Sequence, residues 1–143
     1  MNSDSYSPAP RPDAALLALR PVVAADQPTG NPTGSVGEFL HATLRPVLKL
    51  QNDLLLAAVA GFVLDHHIPL GKASPTDQQR QLTELLARNT KLRYTLIGLI
   101  TGCFTHEEYI YYQQQRPELN RRLLELARHR VLDQTARVVA LAA

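Results

Sequence analysis

The chain predicts an all-α fold: an antiparallel bundle of four to five helices over residues 36–143, preceded by a disordered, proline-rich arm over 1–35. Three observations lead there. From Val36 onward apolar residues recur at spacings of three and four, and no period-two run of β-branched residues is bounded by turn signals. Helix starts with a clear chemical basis stand at Ser74-Pro75, Thr105-His106-Glu107-Glu108 and Arg116-Pro117. Six of the ten prolines (Pro8, Pro10, Pro12, Pro21, Pro28, Pro32) fall before residue 36, among Ser, Asn, Gly and Asp.

The arm carries Arg11 and Arg20 against Asp4, Asp13 and Asp26, a balance of −1. Within it, Asp13 is placed to cap a short turn bearing Leu16, Leu17 and Leu19. That turn either packs loosely or serves as a linear motif that docks on a partner helix.

A first helix is predicted from about Val36 to His66, with Phe39, Leu40, Leu44, Val47, Leu48, Leu54, Leu55 and Val59 recurring at spacings of three and four. Pro46 lies inside it. Proline lacks the amide donor and crowds the preceding turn, so a kink is expected there. The run Leu54 to Leu64 has no charged residue and is far shorter than the roughly 20 residues a membrane span needs, so it reads as a buried helix. Ile68-Pro69-Leu70-Gly71 ends the segment.

The second helix begins with Ser74 as cap, Pro75 in the first turn and Asp77 at the positive end. It shows Leu82, Leu85 and Leu86 on one stripe and polar residues opposite, as a surface helix does. Asn89-Thr90 separates it from residues 91–104, the most apolar helix and the expected centre of the core. Gly98 and Gly102, four apart, leave one side of that helix open to close approach, and Gly102 also suits a helix end. The Thr105/Glu108 capping box starts a fourth helix to about Gln115. Pro117 then starts a fifth, to about Val139, with Leu119, Leu123, Leu126, Val131 and Leu132 inward.

Composition bounds the function. Apolar residues make up 45% and charged residues 20%, enough for a packed core, and the formal charge of +2 is too mild to demand nucleic acid or an anionic membrane as partner. A single cysteine, Cys103, allows neither an internal disulfide nor a Cys-based zinc site, and it fits a reducing compartment; the expected location is the cytoplasm. No secretory signal is recognisable at the N-terminus.

Motifs of catalysis are sparse. The five histidines (His41, His66, His67, His106, His129) form no HExxH pair, and Glu38/His41 alone has the Glu-x-x-His spacing of di-iron bundles. His41 meets His66 or His67 only if the chain folds back at Pro46. Cys103 sits in an apolar helix with no basic neighbour, as an inert core thiol does. No glycine-rich phosphate loop and no Gly-x-Ser-x-Gly elbow occurs. The expectation is therefore a protein that is not an enzyme and carries no metal or cofactor.

Two surfaces are candidates for contact. Tyr109, Tyr111 and Tyr112 span about 300° of one helix, too wide for a single core. Tyr109 and Tyr112 are expected inward and Tyr111 outward, with the helix as a binding or dimerisation face. The last helix is basic, and Arg121, Arg122, Arg128 and Arg130 are candidates for phosphate contact. The leading expectation is action by protein–protein contact, as a homodimer or an adaptor. The alternative is a nucleic-acid-binding regulator using those four arginines. A membrane is not an expected partner.

Overall fold

The computed structural model describes residues 10–21 and 32–143, and every regular element among them is helical. In chain order they are α1 (Asp13–Leu19), α2 (Val36–Phe39), a π-helical turn (Leu40–Leu44), α3 (Arg45–Leu50), α4 (Asn52–Asp65), a 3-10 turn (Leu70–Lys72), α5 (Pro75–Arg88), α6 (Thr90–Thr101), α7 (His106–Gln114), α8 (Arg116–Asp133) and α9 (Thr135–Leu141). The arm expected over 1–35 is thus helical in part: residues 10–21 hold α1, while 1–9 and 22–31 lie outside the described residues.

The first predicted helix is broken, but not at Pro46. Ser35 caps its start by accepting from the Glu38 amide at 3.1 Å. The turn before the proline is widened to π geometry, and the Arg45 amide reaches back five residues to the Leu40 carbonyl. A wider turn makes room for a ring that would otherwise crowd the carbonyl four residues back. The bend comes instead at Gln51 (φ −93°, ψ 10°). There the axes of Val36–Leu50 and Asn52–Asp65 diverge by 63°. The Gln51 side-chain amide donates to the Leu99 carbonyl at 2.9 Å, which ties the corner to α6.

α4 ends in a Schellman turn. The Ile68 amide reaches Val63 and the His67 amide reaches Leu64, at 3.1 and 3.2 Å. His67 takes the left-handed conformation this turn requires (φ 52°), a place usually given to glycine.

The later boundaries follow the sequence closely. Ser74 accepts from the Asp77 amide and Asn89 from the Leu92 amide, and the Thr105/Glu108 capping box is complete. The predicted last helix is interrupted once, at Gln134 (φ −119°, ψ 30°), which separates α8 from α9. Gln134 and Asn52 exchange side-chain amide hydrogen bonds at 2.8 and 2.9 Å, so the two unforeseen helix breaks are fastened to each other.

The core lies where α4, α6 and α8 meet, with α5 against α6 and α8, α7 against α8, and α9 against α4. Leu55, Leu56, Val59, Leu92, Leu96, Ile100, Leu119, Leu123 and Val131 are all fully buried within it. Phe39 and Phe104 meet edge to face, ring centres 5.5 Å apart.

Candidate interaction surfaces

The α6–α7 corner is held by the N-terminal segment, through charge rather than through its leucines. α6 ends with exposed carbonyls, a locally negative end, and α7 begins with free amides, a locally positive one. Arg11 donates to the Gly102 and Phe104 carbonyls at 2.8 and 2.9 Å. The Asp13 carboxylate accepts from the His106 amide at 3.2 Å. Asp13 therefore does not cap its own helix; it serves α7. Arg20 makes two hydrogen bonds to the Glu108 carboxylate, at 2.6 and 2.7 Å, and one to the Cys103 carbonyl. Leu17 and Leu19 remain half exposed or more.

Glu108 is the acceptor hub of this corner. Besides Arg20 it accepts from the Thr43 hydroxyl at 2.7 Å and from the Thr105 amide at 2.8 Å, and its side chain is 8% exposed. Burial pushes its carboxyl pKa up, but Arg20, the Thr105 amide and the Thr43 hydroxyl outweigh that and hold it below its ordinary value. All its acceptor capacity goes to structural donors, so it has none of the free geometry of a general base. The capping box announced Glu108; nothing in the sequence announced Arg20 or Thr43 as its partners.

Tyr112 lies inward as expected: it is buried and donates its hydroxyl to Asn120, which leaves it little surface to offer a partner. The other two tyrosines depart from expectation. Tyr111 is half-buried against Phe39, ring centres 5.1 Å apart. Tyr109 is the one facing out, at 41% exposure. It borders an open pocket of about 400 Å³ with Arg11, His106 and the two glycines Gly98 and Gly102.

The arginines of α8 do not form one row. Arg121 and Arg122 both engage Glu118, at 2.9 and 3.0 Å. Arg121 also lies 3.6 Å from Glu125. Arg128 lines a shallow pocket with Arg93 and Leu86 on one flank. Arg130 turns the other way and donates to Asn52 at 3.2 Å. Partial burial lowers the pKa of its guanidinium. On that second flank it joins His129 and two residues the sequence reading passed over, Arg45 and Lys49 of α3.

The histidines do not converge. His66 stacks on Phe62 and bonds the Phe62 carbonyl and Asn89. Among the described residues no three His, Cys, Asp or Glu side chains are grouped to hold a metal ion. Cys103 is half-buried.

One surface was misread from the sequence. The apolar run of α4 is covered on one side only. Leu55, Leu56, Val59, Ala60 and Val63 are buried, whereas Leu54 and Leu64 are 53% and 51% exposed. Ala57 is exposed and Gly61 partly so, and a side chain at Gly61 would meet open space. Periodicity could not reveal this, because both sides of the helix are apolar. Among the described residues no single helix is long and apolar enough to cross a membrane.

No family model, no curated protein and no solved structure matches this chain.

Proposed function

We propose that this chain is a non-enzymatic interaction module, a helical bundle that pairs with a second copy of itself across the outer side of α4. The observation carrying this reading is a symmetry in the exposed stripe. Leu54, Ala57, Gly61 and Leu64 follow the alternating three-and-four spacing of a helix–helix seam. They are also palindromic about position 59: Leu54 mirrors Leu64, Ala57 mirrors Gly61, and Asp53 mirrors Asp65. A two-fold interface requires that residue i meet j while j meets i. An antiparallel pair of α4 helices crossing at residue 59 satisfies this. Leucine packs on leucine at both ends, and the small residues in the middle let the backbones approach. Asp53 would face the partner's Asp65, and Arg137, 3.0 Å from Asp53, stands ready to neutralise both.

The stripe is about 15 Å long at 1.5 Å per residue. Covering the exposed half of four leucines contributes about 1 kcal/mol each, against association costs of at least about 4 kcal/mol. The leucines alone do little more than offset the lowest association cost, so the pair is weak and concentration-dependent. Light scattering across a dilution series tests it: Leu64→Glu should abolish the dimer and Tyr109→Ala should leave it intact. Equal dimerisation of Leu64→Glu and wild type would rule out this face.

The nucleic-acid reading has less support, because Glu118 neutralises Arg121 and Arg122. The lone, half-buried Cys103 is in keeping with a reducing compartment such as the cytoplasm.

A further inference from the structure

A second surface lies on other residues, between α3 and α8. Two cavities, of about 460 and 180 Å³, share Arg45 and Leu126 and so form one trough. Its floor is aliphatic, from Leu40, Leu48 and Leu126. Its rims are cationic: Arg45 and Lys49, one turn apart on α3, face Arg122, His129 and Arg130 on α8. Asp133 and Glu125 are the carboxylates in the lining; with Arg122 paired to Glu118 at 3.0 Å and Glu125 beside Arg121 at 3.6 Å, Arg45, Lys49 and Arg130 stand against Asp133.

We infer that this trough binds an acidic amphipathic helical segment of a partner protein, with leucine-like side chains on the floor and carboxylates on the Arg45/Lys49 and Arg130 rims. The chemistry favours that occupant over nucleic acid. A phosphate backbone would gain from the rims and nothing from the floor, whereas an amphipathic helix uses both. Arg130 spends one of five donors, on Asn52, and a carboxylate can take two more in parallel. The α8 rim from Arg122 to Asp133 spans about 16 Å, which accommodates roughly three turns of a partner helix. The trough shares no residue with the α4 stripe, so either surface can fail without the other.

Fluorescence anisotropy with the full chain tests the inference, using three labelled probes. The first is a helical peptide of about 14 residues with leucines on one side and glutamates flanking them. The others are an all-glutamate peptide of equal length and a single-stranded DNA of equal charge. The amphipathic peptide should bind at least about tenfold tighter than either. Arg45→Glu/Lys49→Glu should weaken it more than about tenfold with unchanged circular dichroism, while Lys91→Glu, at an exposed residue outside the trough, should leave it unchanged. Three results would overturn the inference: no binding of the amphipathic peptide at about 1 mM, full affinity in the double variant, or equal affinity for the all-glutamate peptide. DNA binding tighter than the peptide would overturn it too, by reassigning the trough to nucleic acid.

Discussion

Arg20 and Glu108 show how much one pair of side chains decides here. Both are nearly excluded from solvent, at 6% and 8% exposure, and 88 residues of chain separate them. Removing one partner from such a pair leaves the other charge buried, which costs more than the pair itself contributes. Arg20→Ala is expected to destabilise the fold by about 3 kcal/mol, read as a shifted urea midpoint, and to release residues 10–21 to protease. The pH dependence follows from the depressed carboxyl. A group whose folded pKa lies below its unfolded value contributes stability that is present at neutral pH and lost on acidification. Loosening of the N-terminal segment should therefore begin as pH drops below the ordinary carboxyl value of 4.5 and be complete below the depressed one. Hydrogen exchange at the α7 amides across that range is the measurement, and protection that persists unchanged to pH 2 would contradict it. None of this was legible in the sequence beyond the capping box. A box is a local pattern four residues long, whereas Arg20 and Thr43 reach Glu108 only through the fold.

At the scale of elements, legibility follows the range of the interaction. Ser74, Asn89 and Thr105 cap helices with their own side chains, so the starts of α5, α6 and α7 were readable. The breaks at Gln51 and Gln134 were not. Neither carries proline or glycine, and each is stabilised by partners far along the chain, Leu99 for Gln51 and Asn52 for Gln134. Pro46 was the opposite case, a strong local signal that a π turn absorbed without a sharp bend. The two glycines of α6 also divide. A methyl group at Gly98 meets open space, whereas one at Gly102 meets the Gly98 carbonyl at 2.9 Å. Gly98→Ala is expected to stabilise by up to about 1 kcal/mol through helix propensity. Gly102→Ala is expected to destabilise by about 1–2 kcal/mol through the clash. Thermal melts of the two variants should move in opposite directions, and a shift of the same sign in both would contradict this account of the corner.

For the whole molecule, the question is what an apolar helix does with an uncovered side. α4 is apolar around most of its circumference, which the sequence alone reads as burial. The structure covers half and leaves Leu54, Ala57, Gly61 and Leu64 facing out. Which half is covered depends on where α6, α8 and α9 dock, so no property of residues 52–65 taken alone could reveal it. The proposed pairing gives that stripe its cover, and Gly61 separates pairing from folding. A Cβ there meets no atom within 4 Å in the single chain, yet a leucine would hold two α4 helices apart at their crossing. Sedimentation equilibrium of wild type and Gly61→Leu, each from about 1 to 500 µM, is the most direct measurement. The account predicts a monomer–dimer equilibrium for wild type within that range, and for Gly61→Leu a fold at least as stable whose dimer is weakened more than tenfold. A wild type that stays monomeric throughout, or a Gly61→Leu variant that dimerises as well as wild type, would contradict it.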